Sequence, residues 1–233
     1  MLTVHAADLL LTGPGAEPVA AGAVVVDGAR IAAVGPYEEL AADHPGARER
    51  RWPGLLTPGL CHAQAPALLE TAYHPDPREA AELGTEPVAE PAALAGLALT
   101  DARWGESARR GTQRMLRHGT TAVTGPFARP AVRTAVARAG LVVLAAGRVG
   151  PTGAAPSAAD AAGDAAVPRV SLDPLAALPA GAPPDAAFTG PLAPGARADF
   201  AVFAVPTLAD LAVHGAASCV ATVLDGRLVF RRR

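Results

Sequence analysis

The chain begins with short runs in which apolar and polar residues alternate. This pattern is typical of half-buried β-strands. It covers LTVHAADLLLT at 2–12 and AVVVDGARIAAVG at 23–35, where Asp27-Gly28 separates two apolar runs and predicts a hairpin turn. Residues 37–44 have the composition of a short helical turn, and RERRWPGLLTPGL at 48–60 returns to an extended, proline-containing strand. The first sixty residues therefore predict β structure.

The middle of the chain has a different pattern, in which helix-compatible and strand-compatible stretches alternate. Apolar spacing predicts a long helix over 92–118, split or weakened at Gly105, and then the strand TTAVTG at 120–125. A second helix at 129–140 and a buried strand at 141–147 follow. This order predicts a small parallel sheet with crossover helices, too short to close into a barrel.

The last third combines a segment without periodicity and a return to β structure. Residues 150–189 are dominated by Ala, Pro and Gly, which predicts a linker. Strands are predicted again at 198–206 and 219–233, the latter with a hairpin turn at Asp225-Gly226. The two ends of the chain thus share one kind of β sequence, and a different kind of segment lies between them.

Composition excludes several function classes. All 20 basic residues are Arg, so no lysine exists to form a Schiff base, a metal-bridging carbamate or the cation of a phosphate-binding P-loop. A net charge of −2 argues against nucleic acid and anionic membrane surfaces as partners. The absence of Asn and the abundance of Ala indicate a GC-rich bacterial genome.

Cellular location and redox chemistry follow from similar counts. No apolar run reaches the roughly 18 to 20 residues that cross a bilayer, and the N-terminus has no basic region before its short apolar stretch. We therefore expect a cytoplasmic protein. Two distant cysteines, Cys61 and Cys219, provide no disulfide framework and no metal knuckle.

Three stretches together resemble the metal-dependent amidohydrolase superfamily, in particular its imidazolonepropionase and aminofutalosine deaminase branch. The first is AVVVDGARIAAVG at 23–35 with LLTPGL at 55–60. The second is RRGTQRMLRHGTTAV at 109–123, and the third combines GPLAPGARADFAVF at 190–203 with VATVLDGRLVF at 220–230. In that family the N- and C-terminal segments join into a composite β-sandwich, and a TIM-type barrel is inserted between them.

The resemblance implies a mixed α/β fold in which both chain ends build the sandwich. We expect the composite β-sandwich domain at 1–57 plus 190–233, a truncated, two-unit barrel-like α/β segment at 58–149, and the linker at 150–189. Such a remnant leaves sheet edges and apolar surface uncovered. A homo-oligomer or a protein partner is therefore expected.

The family's metal site is degenerate in this sequence. Family members follow Pro-Gly-Leu with two further residues, a small residue and a His-x-His pair, whereas PGLCHAQAP places Gln64 and Pro66 at those positions. A shifted alignment offers His62 and Gln64 as a candidate remnant pocket, but one imidazole cannot hold an ion that needs about three protein ligands. No catalytic residue, metal ligand or cofactor is therefore assigned. A divalent metal such as zinc is expected only if the site is completed from elsewhere.

Other candidate groups are also weak. The family's remaining histidines and aspartate would lie in the region between residues 150 and 190, where the chain offers no histidine and only the aspartates Asp160, Asp164, Asp173 and Asp185 in Pro/Ala-rich sequence. A nucleophilic pair of Cys61 with its neighbour His62 is disfavoured, because adjacent strand residues point to opposite faces.

Three hypotheses for function remain. The residues favour a non-catalytic binding or assembly protein of amidohydrolase type. The resemblance alone implies a hydrolase of non-peptide carbon–nitrogen bonds, such as those of cyclic amidines or amides, or a deaminase. A third hypothesis is an enzyme completed by a second polypeptide that supplies the missing barrel and metal ligands.

Overall fold

The computed structural model describes residues 2–145 and 170–232. The strands are β1 (Leu2–Leu10), β2 (Val19–Ala20), β3 (Gly22–Asp27), β4 (Arg30–Pro36), β5 (Arg48–Pro58), β6 (Leu60–His62), β7 (Thr120–Gly125), β8 (Val142–Ala145), β9 (Phe200–Phe203), β10 (Cys219–Leu224) and β11 (Arg227–Arg231). The helices are α1 (Tyr37–Asp43), α2 (Ala65–Glu70), α3 (Ala80–Leu83), α4 (Pro91–Ala95), α5 (Asp101–Leu116), α6 (Pro130–Ala139) and α7 (Leu208–His214). Short 3₁₀ turns lie at Pro77–Glu79, Pro174–Ala177, Pro184–Ala187 and Ala216–Ser218.

Strands from both ends of the chain form one mixed sheet. Within the described residues it has eight strands, in the order β11-β10-β9-β5-β1-β3-β4, with β2 paired to β1. The central strand β5 is parallel to β1 and antiparallel to β9, so that Leu55 pairs with Leu9 on one side and Phe203 on the other. The expected mixed α/β class is confirmed.

This sheet curls so that one of its faces encloses a hydrophobic core. Buried side chains from strands on both sides of β5 pack in one cluster, including Leu10, Val24, Trp52, Phe200, Val202 and Val223. The edge strand β4 meets the segment before β9, where Ile31 N donates to the Ala196 carbonyl at 2.9 Å and Gly195 N donates to the Ile31 carbonyl at 2.8 Å. These bonds cover part of an edge that would otherwise remain free to pair with another strand.

Both predicted hairpins are present. In the second, Asp225 and Gly226 form the two-residue turn between β10 and β11 with φ of 54° and 72°, the positive values that a tight hairpin turn requires. In the first, the turn lies one residue later than predicted, at Gly28-Ala29, and Asp27 is the last residue of β3.

The middle of the chain forms a second, smaller sheet of parallel strands in the order β6-β7-β8. The helices α2, α5 and α6 pack on it through a buried cluster that includes Leu68, Leu69, Met115, Val123, Val132 and Val136. The predicted parallel sheet with crossover helices is confirmed. Helix α6 ends at Gly140 in a left-handed conformation, as predicted.

The predicted helix over 92–118 is interrupted, but the prediction of a break at Gly105 is wrong. The break lies between α4 and α5, and Thr100 caps α5 by accepting a hydrogen bond from Arg103 N at 3.3 Å. Gly105 lies inside α5, where a Cβ would meet the Ala131 side chain at 3.4 Å. Gly105 thus does not end the helix, and an alanine at this position would make an ordinary contact with Ala131.

Strand β8 is also less buried than predicted. It is the outer strand of the small sheet, its burial alternates along the strand, and Val143 is 51% exposed. Apolar composition alone cannot distinguish a central strand from an edge strand that carries the same residues.

The predicted linker lies partly outside the described residues, which exclude 146–169. Its described part contains two 3₁₀ turns, and Phe188, only 6% exposed, forms an isolated β-bridge with Leu60. The boundaries of the linker and of the two domains stay predictions. No helix in the described ranges is long and apolar enough to cross a membrane.

Candidate functional site

The candidate site lies where the small parallel sheet ends. His62 is the last residue of β6, beside Val123 of β7, and in barrel folds active sites lie at this carboxyl edge of the strands. The His62 side chain is fully buried. The structure therefore places the candidate imidazole at the expected edge but closes it off from solvent.

The imidazole of His62 is held by the backbone of a distant segment. Its Nε2 donates a hydrogen bond to the Ser171 carbonyl oxygen at 2.9 Å, while the buried Nδ1 has no partner among the described residues. Burial lowers the pKa of His62, because the charged ring would lose its hydration, and the Ser171 carbonyl and Asp173 oppose this effect only in part. The ring is thus neutral, with Nε2 engaged by the Ser171 carbonyl and Nδ1 unprotonated and without a partner in the described ranges.

Gln64 lies in a different environment from His62. It is exposed and precedes α2 as the N-cap residue, without a side-chain capping hydrogen bond. Pro66 follows in the first turn of α2, where its lack of an N–H is tolerated. One candidate side chain is therefore buried and the other faces solvent, and a pocket shared by His62 and Gln64 stays a prediction.

Cys61 does not supply a nucleophile next to His62. Its side chain is 1% exposed, and burial raises the pKa of the thiol to about 12. A thiol reacts as a nucleophile through its thiolate, which this environment disfavours strongly.

The aspartates considered as family-type bases have structural roles where they are described. Asp173 accepts hydrogen bonds from Leu175 N at 2.8 Å and from Ala216 N at 2.9 Å. Asp185 accepts one from Gly15 N at 3.0 Å. Asp160 and Asp164 lie outside the described residues.

These side chains do not fit the metal centre that the resemblance implies. Across residues 2–145 and 170–232, no group of three or more His, Cys, Asp or Glu side chains is arranged to hold an ion. His62 offers only a partnerless Nδ1, and a single imidazole is an incomplete ligand set for zinc. No metal-dependent step is derived for these residues.

Sequence reasoning missed the groups that surround His62. Ser171 supplies its backbone acceptor, and the Thr124 hydroxyl donates to the Ala63 carbonyl, which fixes the turn after β6. The Asp173-Pro174 pair carried a usable signal, because Asp before Pro is a common start of a helical turn. No local pattern in the sequence indicated that this turn would reach β6.

Residues 22–47 match the family model of the imidazolonepropionase-like composite domain of bacteria. This range contains β3, β4 and α1, and it overlaps the first stretch on which the resemblance was based.

Similar solved structures include A. niger ochratoxinase, with 24% identity over 62% of this chain and 31% of that chain and a TM-score of 0.43. Helicobacter pylori aminofutalosine deaminase has 14% identity over 62% of this chain and 33% of that chain, with a TM-score of 0.41. Guanine deaminase from Bradyrhizobium japonicum has 21% identity over 62% and 34%, with a TM-score of 0.42. The chain thus spans about a third of the length of these solved chains, and no curated protein matches it. The resemblance inferred from sequence is confirmed at residues 22–47, which are similar to the imidazolonepropionase-like composite domain.

Proposed function

We propose that this amidohydrolase-like chain is a non-catalytic binding or assembly protein. The observation that carries the proposal is the incomplete ligand set around His62, which is buried and bonded through Nε2 to the Ser171 carbonyl. A metal-dependent hydrolase needs about three protein ligands at this edge. Among residues 2–145 and 170–232, no group of three His, Cys, Asp or Glu side chains is arranged to hold an ion with the free Nδ1 of His62.

The proposed architecture is a composite β-sandwich formed by the two chain ends, with a truncated, two-unit barrel-like segment between them. The mixed sheet that joins β5 to β1 and β9 supports the first part. The parallel strands β6, β7 and β8 support the second.

The proposed interaction surface is the edge of β8 that pairs with no strand among residues 2–145 and 170–232, and the proposed partner is a second copy or another protein. Strand β8 pairs with β7 on one side, and Val143 is half exposed. An uncovered strand edge is a template for pairing with another chain. Pairing there would extend the parallel sheet and bury Val143.

A second candidate is a hydrolase of non-peptide carbon–nitrogen bonds completed by another polypeptide. The outer position of β8 in the small sheet favours this second candidate, because the next strand of a barrel would pair with β8. The second chain would have to supply the metal ligands and the missing barrel units.

Two measurements on the purified, untagged protein separate these candidates. Elemental mass spectrometry should find less than a tenth of an ion of zinc, iron or manganese per chain, before and after reconstitution. Near one ion per chain would overturn the non-catalytic proposal. Light scattering should detect a stable assembly, and a monomer at concentrations where a standard-size interface would hold argues against self-assembly. A co-purifying partner that adds both metal and activity would establish the second candidate.

A further inference from the structure

A small basic cleft lies on the large sheet, where β5 begins and β11 ends. Its volume is about 350 Å³. The cleft is lined by Arg48, Glu49, Arg50, Arg51, Trp52, Leu228 and Arg231. It therefore joins the first residues of β5 to the last residues of β11.

Strand geometry explains why these side chains converge. Arg48, Arg50 and Trp52 occupy alternate positions of β5 and share the face that carries the buried Trp52. On β11 the register shifts between the pairs Thr222–Phe230 and Val223–Leu228, which marks a β-bulge around Val229. A bulge turns the following side chain to the other face, so Arg231 shares the face of Leu228.

Side chains of β5 and β11 meet across the curled sheet, although β9 and β10 lie between these two strands in the hydrogen-bonded order. The Arg231 guanidinium carbon lies 5.6 Å from the centre of the Trp52 ring. That ring is itself fixed, since Trp52 Nε1 donates to His5 Nδ1 at 3.3 Å and the two rings stack. Arg231 is thereby positioned over a rigid aromatic surface.

Three positive charges of the cleft have no carboxylate partner among the described residues. Within residues 2–145 and 170–232, Arg48, Arg50 and Arg231 form no ion pair with a carboxylate, and the buried Nε of Arg50 has no hydrogen-bond partner. The one acidic lining residue, Glu49, pairs with Arg51 at 3.5 Å. Burial lowers the pKa of Arg50, and the charges of Arg48 and Arg231 lower it further.

We propose that this cleft, built from Arg48, Arg50 and Arg231, binds a phosphate-type oxyanion, either free phosphate or the phosphate group of a small organic molecule. A tetrahedral dianion can accept hydrogen bonds from several guanidinium groups at once, and planar guanidinium groups suit phosphate oxygens. Structural arginines elsewhere in the described residues have polar partners, as Arg103 has in Glu79 at 2.8 Å and Arg133 has in the Phe127 and Ala128 carbonyls. The proposal does not depend on the function proposed for β8.

The test is a titration of the full chain with inorganic phosphate, pyrophosphate and glycerol phosphate in a low-salt buffer, followed by calorimetry. Citrate serves as a carboxylate probe. The variants are Arg50→Gln and Arg231→Gln, and the matched control is Arg227→Gln, which removes the same charge from β11 outside the cleft. Thermal unfolding of each protein with and without phosphate gives a second readout.

We expect saturable binding of at least one phosphate compound at one site per chain, weakened at least tenfold by Arg50→Gln and by Arg231→Gln but less than twofold by Arg227→Gln. Phosphate should raise the Tm of the wild type, because a ligand of the folded state stabilises it. Arg50→Gln should raise the Tm in the absence of phosphate, since it removes a repelled and partnerless charge, and should abolish the phosphate-dependent increase. Stronger binding of glycerol phosphate than of free phosphate would identify the phosphorylated organic molecule as the source.

Three outcomes would overturn the proposal. The first is a lack of saturable binding by all three phosphate compounds, and the second is equal weakening by Arg227→Gln, which would indicate general charge attraction. The third is binding of citrate as tight as that of phosphate. A loss of Tm in Arg50→Gln without phosphate would assign Arg50 a structural role instead.

Discussion

His62 Nε2 donates a hydrogen bond to the Ser171 carbonyl oxygen and so joins the end of β6 to a segment 109 residues further along the chain. A histidine at the carboxyl edge of a parallel strand thus acts as a structural tie. This hydrogen bond should therefore contribute to the stability of the fold.

Replacing His62 with Leu should lower the free energy of unfolding by about 1–3 kcal/mol, because the Ser171 carbonyl would lose its donor in a buried environment. Urea unfolding measures this change. The control Gln64→Leu alters an exposed side chain and should change stability by less than about 0.5 kcal/mol. Loss of bound zinc in His62→Leu, with zinc present in the wild type, would contradict the structural role.

Stability should fall as the pH drops below about 6.5, because three buried histidines are neutral in the folded protein. Burial lowers the pKa of His5 to about 3 and of His74 to about 4, and it also lowers the pKa of His62. Between the ordinary value of 6.5 and these lowered values, the unfolded chain binds protons that the folded chain does not. In that range each such histidine lowers the free energy of unfolding by about 1.4 kcal/mol for every unit by which the pH falls. The stability contributed by the neutral histidines is fully present only above about pH 6.5.

Urea unfolding between pH 7 and 4.5 measures this dependence, and His74→Gln isolates one part of it. Gln can still donate to the Leu68 carbonyl, which accepts from His74 Nε2 at 3.0 Å, but it does not titrate. The slope of the free energy of unfolding against pH should therefore decrease by the amount that corresponds to about one bound proton. The control His214→Gln changes an exposed histidine, and an equal change of slope in both variants would refute the assignment.

Two glycine-to-alanine substitutions in α5 should have opposite effects. Gly105→Ala should stabilise the protein by up to about 1 kcal/mol, because the helix is continuous there and the new Cβ would make an ordinary contact with Ala131. Gly111→Ala should destabilise it by about 1–3 kcal/mol, because its Cβ would lie 2.6 Å from Leu69 Cδ2 and 2.7 Å from His74 Nε2. Thermal unfolding measures both changes. Destabilisation by both variants would contradict the packing described for Gly105.

Asp173 should hold the segment that follows residue 170 against the fold. Asp173→Ala removes the acceptors of Leu175 N and Ala216 N and should cost about 1–3 kcal/mol. Limited proteolysis should then cleave within 170–189 at least several times faster than in the wild type. Asp185→Ala, which removes a single bond to the exposed Gly15 N, should have a smaller effect. Equal cleavage rates for the wild type and Asp173→Ala would show that this tie is dispensable.

Val143→Lys should weaken the proposed assembly at β8. A charged residue on an edge strand opposes pairing with another strand, so light scattering should report a smaller species with an unchanged circular dichroism spectrum. Val213 is 80% exposed on α7 and provides the control Val213→Lys. Dissociation by both variants would point to a surface other than β8.

Most local elements could be predicted from the sequence, because their signals are local. Asp225-Gly226 marks a hairpin turn wherever it separates two strands, and Gly140 ends a helix through its left-handed conformation. The errors have a different cause. Gly105 was expected to break the helix, but α5 continues through it and begins instead at the Thr100 cap. The exposure of Val143 depends on which strand is outermost in the sheet.

The candidate site was predictable only in part, for the same reason. The sequence placed His62 at the end of a strand, but the partner of its ring lies in a Pro/Ala-rich segment without periodicity. The cleft at Arg50 was not anticipated at all. Its arginines converge through the curl of the sheet and a bulge at β11, and neither feature has a short sequence signature.

The position of β5 has a consequence for folding during synthesis. Leu55 pairs with Leu9 among residues already made, but its other partner, Phe203, emerges from the ribosome only after about 150 further residues. At roughly 5–20 residues per second this delay is about 7–30 s. During that time the nascent chain exposes one edge of its central strand, so chaperone capture and early aggregation should both be directed at β5.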